Sequence, residues 1–142
     1  MERKNFLVAT HLLLIKWNEI LLYLRKWWSQ EWKYNLIAGH LDWWEDPRQA
    51  TIREAKEEAW IAIKKEDLEF SHITYSLAWN WKEYIQFYFS CKKWEWKIQN
   101  LELDRCYKMD FLPINKLPEN TTEYIKKAIQ NFLNNKKYTE DK

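Results

Sequence analysis

The stretch AGHLDWWEDPRQATIREAKEEAWI, residues 38 to 61, carries six carboxylates and three tryptophans around the single glycine of the chain. Its middle is the strongest helix signal in the sequence. Asp46 stands at the N-cap position, Pro47 at the first helical position and Gln49 three residues after the cap, an arrangement of the capping-box kind. The spacing predicts a helix to about Ala59. Ile52, Ala55 and Ala59 form a narrow apolar stripe on it, and Glu54, Glu57 and Glu58 project from the opposite side.

Such a cluster can be a solvated helix face, with Arg53 paired to Glu57 four residues on for roughly 0.2 to 0.5 kcal/mol. Glu54 and Glu58 are, however, a like-charge pair at the same separation, which loses about as much as Arg53 returns. A bound divalent cation reverses that sign. Hard cations such as Mg²⁺ take oxygen ligands, commonly one or two carboxylates together with substrate phosphates and water. One helix turn with three carboxylates supplies such ligands and leaves a group to act as base or to orient water. The pattern points to metal-assisted phosphate chemistry.

Outward from the helix, residues 5 to 15 and 19 to 25 read as a β-hairpin around "KWN", although the turn lacks the glycine such turns prefer. "YNLIA" reads as a short strand leading into Gly39. Beyond the helix, strands are predicted around 68 to 75 and 84 to 91. "YIQFYFSC" in the second is continuously apolar or aromatic, as a buried strand is. "MDFLPINKLPEN" reads as extended and broken by Pro113 and Pro118. Thr121 or Thr122 is expected to cap a last helix with Ile125, Ala128, Ile129 and Phe132 on one face, and the tail "NNKKYTEDK" to fray.

The length of 142 residues and 46% apolar content suit one compact domain, residues 1–142. Net charge is +2, from 23 basic and 21 acidic residues, so no field argues for sequence-specific nucleic acid or an anionic membrane as partner. The N-terminal apolar run is interrupted by His11 and continues into the hairpin, so it reads as a strand and not a signal peptide. No run approaches a membrane span. Cys91 and Cys106 suggest neither a disulfide framework nor zinc, and two reduced thiols fit a cytoplasmic protein. His11, His40 and His72 have no mutual spacing that suggests a metal site.

The quoted stretch resembles the Nudix box, G-x5-E-x7-R-E-U-x-E-E-x-G-U with U a bulky aliphatic residue. Gly39, Glu45, Arg53, Glu54, Glu57, Glu58 and Ile61 match in type and spacing; Ala55 is small for its U position, and Trp60 stands where the family has its second glycine. "KWNEILLYLRK" is similar to the family's opening hairpin, and the segments from Tyr84 to Cys106 and "DFLPINKLP" are similar to its later strands. The resemblance implies an α/β Nudix fold, a mixed β-sheet sandwiched between α-helices. It also implies hydrolysis of a diphosphate linkage in a nucleoside diphosphate derivative or triphosphate, with Mg²⁺ or Mn²⁺ and an activated water. Carried over by position, Glu57 and Glu58 hold the metal with the main-chain carbonyl of Ala38, and Glu54 binds metal or activates water. Arg53 and Glu45 support them through an ion pair. Glu102 is the candidate for a further acid outside the box. The implied partner is a small-molecule nucleotide, and because similar proteins are commonly homodimers, the resemblance also raises a homodimer as an expectation. Two other functions stay open: a non-catalytic Nudix-like nucleotide-binding regulator, and a glycan or single-strand binder built on tryptophan stacking.

The chain has 1 Gly and 11 Trp, where average usage of about 7% predicts roughly ten glycines. Trp60 replaces a family glycine, Trp43 and Trp44 lie in the box loop where relatives commonly have glycine, Trp17 lies in a hairpin turn, and Trp96 follows "KWE" where relatives often read "WEG". Trp27, Trp28, Trp32, Trp79 and Trp81 are also in turn-like segments, and only Trp94 reads as a tryptophan in its own right. The composition therefore raises the expectation that these ten are UGA codons read as glycine in the source organism; a naturally tryptophan-rich chain is the alternative.

Overall fold

In the computed structural model, residues 1–26 and 30–142 are described; Trp27 and Trp28, two of the proposed glycine positions, lie outside them. The chain runs β1 (Leu7–Lys16), β2 (Glu19–Arg25), β3 (Tyr34–Asn35), β4 (Ile37–His40), α1 (Pro47–Ala59), β5 (Leu68–Leu77), β6 (Glu83–Cys91), β7 (Cys106–Pro113), α2 (Glu123–Leu133) and β8 (Tyr138–Asp141). The strands form a mixed sheet in the order β3-β2-β1-β6-β5-β8, with β4 also on β1 and β7 also on β2. β1 is the hub. Its first half pairs with β4, from Ala9↔His40 to Leu12↔Ile37, and only Ile15 and Lys16 reach β2. Along its other edge it runs parallel to β6 from Leu7↔Tyr84 to Leu14↔Cys91.

The unbroken apolar run of β1 follows from its position, because both faces are covered. Leu12 and Leu14 join Ala55, Ala59 and Ile61 under α1, whereas Leu13 and Ile15 join Ile125, Ala128 and Ile129 under α2. The small residues of α1 let that helix approach closely: Ala50, Thr51, Ala55 and Ala59 are buried, and the Thr51 hydroxyl contacts that of Thr10 on β1. The Asp46 cap forms as its sequence predicts. Asp46 Oδ1 accepts from the Gln49 N–H at 2.8 Å, and the Gln49 side chain accepts from the Asp46 N–H at 2.9 Å.

Three local expectations change. The single strand "YNLIA" is two, β3 serving β2 and β4 serving β1. Thr122 is the N-cap of α2 by position, but its hydroxyl makes no cap bond; Thr122 N–H instead donates to Tyr34 O. The tail does not fray, because β8 runs parallel to β5 from Ile73↔Tyr138 to Ser76↔Asp141. His72 fastens it, with its ring nitrogens 2.7 Å from Lys136 O and 2.8 Å from Thr139 Oγ1.

Candidate active site

The loop before α1 is tied to the helix through Arg53. Its Nε and Nη2 donate to the two Glu45 oxygens at 2.7 and 2.9 Å, and Nη2 also donates to His40 O at 3.0 Å. Nη1 donates to Glu54 Oε1 at 2.7 Å and to Glu57 Oε2 at 3.3 Å. The i,i+4 pair with Glu57 is thus the longest of these contacts, and the fork to Glu45 is the principal one, as bidentate geometry favours. That fork holds the Glu45 carboxyl below its usual range. Gly39 is needed here for space: a Cβ would run into the Glu54 carboxylate.

Glu58 departs from the expectation of three carboxylates on an exposed face. Its Oε2 is buried with no hydrogen-bond partner among the described residues. Burial pushes its carboxyl well above the ordinary range, with Glu54 and then Glu102 adding repulsion, while a hydrogen bond from the Ala38 backbone works the other way. Burial likewise raises Glu54, against the opposing effect of Arg53. Glu102 reaches this corner because its segment closes the C-terminal end of α1. The N–H groups of Gln99 and Leu101 donate to the carbonyls of Ala59 and Glu58 at 2.9 and 3.1 Å, and Asn100 Oδ1 accepts from the Glu102 N–H at 3.0 Å. Helix-end carbonyls that lack internal partners are thereby satisfied, and a carboxylate distant in sequence is delivered.

Glu58, Glu102, Ala38 and Gly39 sit at one part of a cavity of about 790 Å³ that extends past His11, Asn35, Gln86 and Tyr124. These last residues carry no local motif and the sequence reading did not select them for binding; only the register of β1 with β4 and β6 makes His11 a neighbour of Ala38 and Tyr88. His11 stacks on Tyr88 with ring centroids 4.4 Å apart, and its Nε2 lies 2.7 Å from Gln86 Oε1. His40 also lines this cavity, whereas His72 serves the β5–β8 junction. Burial lowers the His11 pKa to about 4, with the Gln86 hydrogen bond opposing and His40 adding to the depression.

This predicts a pH effect on stability. Below its unfolded pKa of about 6.5 the denatured chain protonates His11 and the native chain does not, so stability falls as pH drops from about 6.5 to about 4. The contribution is about 3 kcal/mol. Urea denaturation of the protein and of His11→Phe at pH 7.5 and pH 4 is expected to show the smaller loss in the variant; equal losses would refute the assignment.

Among the described residues, no three His, Cys, Asp or Glu side chains are gathered closely enough to enclose a metal ion. Arg53 engages Glu54 and Glu57 instead. The donor chemistry still fits a hard divalent cation, since the carboxylates supply oxygen and the buried Glu58 Oε2 has no hydrogen-bond partner among the described residues.

Comparison with known proteins agrees with this architecture. The family model described as NUDIX domain matches residues 6–132. No curated protein matches by sequence. Among solved structures, a MutT NUDIX hydrolase from Burkholderia pseudomallei superposes with a TM-score of 0.81 at 20% identity, over 90% of this chain and 98% of its own. A mMutator MutT protein from Bacillus halodurans gives 0.78 at 16%, over 95% and 88%. A NUDIX hydrolase from Nitrosomonas europaea gives 0.73 at 21%, over 94% and 93%.

Proposed function

Because the chain belongs to the NUDIX family and is a Nudix-type pyrophosphohydrolase, we propose that it cleaves a diphosphate linkage in a nucleoside triphosphate or nucleoside diphosphate derivative, using Mg²⁺ or Mn²⁺. The observation that carries the reading is the buried, unpartnered Glu58 Oε2 beside Glu54 and Glu102 at a cavity large enough for a nucleotide.

In this proposal Glu57, Glu58, Glu54 and the Ala38 carbonyl would hold the cation, with Glu54 and Glu57 turning to it from Arg53. Such an ion would supply charge neutralisation at the phosphates and a lowered pKa for a water bound to it. In this reading Glu54 would alternatively accept the proton of the attacking water as the bond from phosphorus to the leaving phosphate breaks. Arg53 and Glu45 are positioning residues, fixing the loop against the helix, and Glu102 adds carboxylate beside Glu58. Arg105 places positive charge on the cavity wall. Catalysis of this kind is largely positioning and electrostatics. The proposal further takes residues 1–142 as one Nudix domain. It also takes glycine, encoded by UGA, to stand natively where Trp43, Trp44 and Trp60 flank the site.

No helix among the described residues is long and apolar enough to cross a membrane. The two cysteines are buried free thiols, which supports a cytoplasmic setting.

The test is release of phosphate, pyrophosphate or nucleoside monophosphate across nucleoside triphosphates, nucleotide sugars, ADP-ribose and dinucleoside polyphosphates, with Mg²⁺, Mn²⁺ or chelator. Metal-dependent turnover of at least one class is expected. Nucleotide binding with no turnover of any class would replace the proposal with the regulator reading.

A further inference from the structure

Seven non-glycine residues among those described have positive φ, and six are tryptophans: Trp17 at 56°, Trp32 at 64°, Trp44 at 66°, Trp60 at 57°, Trp81 at 64° and Trp96 at 72°. The seventh is Asn135, a residue type that tolerates this region. Only a few per cent of non-glycine residues adopt positive φ, so fewer than one would be expected among the nine described tryptophans, eleven less Trp27 and Trp28.

Five of the six settings have a local reason to require glycine. Trp17 is the first central residue of the two-residue loop between Lys16 and Glu19, and positive φ there alone is the II′ pattern, which takes glycine at that position. Trp32 and Trp44 are third in the turns closed by Lys33 N–H to Gln30 O and by Glu45 N–H to Asp42 O, where positive φ selects glycine. Trp81 ends the three-residue loop closed by Trp81 N–H to Ala78 O and Ala78 N–H to Lys82 O, the site of a left-handed glycine in such hairpins. Trp60 ends α1 at φ 57° and ψ 37°, its N–H donating to Lys56 O, a helix stop made mainly by glycine. Trp96 directly follows Glu95, which is bridged to Ala62 in both directions.

The indoles have no common packing role. All six are exposed; their ring contacts are to one another or to surface groups, as in Trp60 on Trp96 and Trp32 on Tyr107. Trp94 is the contrast. It has no positive φ, packs against the core cluster beneath α1 and stacks on Phe111.

We propose that the natural protein carries glycine at positions 17, 32, 44, 60, 81 and 96, because its gene is read with a code in which UGA specifies glycine, and tryptophan only at codons written UGG. This rests on backbone geometry and is independent of the hydrolase reading. Trp43 and Trp79, the other described candidates, have no positive φ and are exposed, so backbone geometry carries the six positions, and a common codon would extend the inference to the rest.

Tandem mass spectrometry of the protein from its source cells, alongside its gene sequence, tests it. Glycine at all six positions over UGA codons, with tryptophan at position 94 over UGG, is the expected result. Tryptophan at any of the six, or UGG encoding it, overturns the proposal.

Discussion

Glu58→Gln is expected to lower kcat by about a thousandfold while leaving the protein at least as stable as before. A factor of that size is about 4 kcal/mol of transition-state stabilisation, within the range seen when an electrostatic group at a reacting phosphate or carbonyl is removed. The two effects have opposite signs for one reason. The Glu58 carboxylate is desolvated and repelled by Glu54 and Glu102, so the free protein gains when its charge is removed. The proposed cation complex loses a charged ligand. Glu57→Gln provides the comparison, because Glu57 is exposed; its activity should fall with little change in Tm. The paired measurement is metal-dependent turnover and thermal unfolding of each variant. Turnover by Glu58→Gln within tenfold of the parent would sink the assignment of Glu58 as a metal ligand, whatever the substrate.

The chain remade with glycine at the six left-handed tryptophan positions should melt far higher than the chain as written. Each left-handed residue with a side chain costs about 1 to 2 kcal/mol. Six independent sites therefore sum to about 6 to 12 kcal/mol, as large as the net stability of an ordinary domain. At roughly 2 to 4 °C per kcal/mol for a chain near this size, the Tm should rise by at least about 12 °C. Turnover should rise with it, since Trp44 lies in the loop that Glu45 and Arg53 anchor and Trp60 ends the helix that carries the carboxylates. Trp94→Gly should do the reverse, because that indole stacks on Phe111 against the core. Thermal unfolding of the three proteins decides the matter; a six-glycine chain no more stable than the parent would show that these backbones hold tryptophan without strain.

Two kinds of information in the sequence were readable without a fold. The capping box at Asp46 and the carboxylates of α1 are local, since a helix places residues three and four apart on neighbouring sites regardless of what surrounds it. The excess of tryptophan over glycine is likewise a property of composition, and Trp94 was separable from Trp96 through the resemblance to relatives that often read "WEG" there. The mixed α/β fold was legible through the spacing of Gly39, Glu45, Arg53, Glu54, Glu57 and Glu58, which match a known box.

Tertiary structure decided the rest, where the answer depends on which distant segments meet. Glu102 arrives near Glu58 because residues 99 to 101 bond to the end of α1. His11 joins the cavity because β1 lies between β4 and β6, and the polar tail becomes β8 because the edge of β5 offers unpaired backbone groups and His72 supplies an anchor. Residue type and spacing set local conformation through short-range sterics and hydrogen bonds. Solvent exclusion and the charge environment of a carboxylate, by contrast, are set by neighbours that chain order does not reveal.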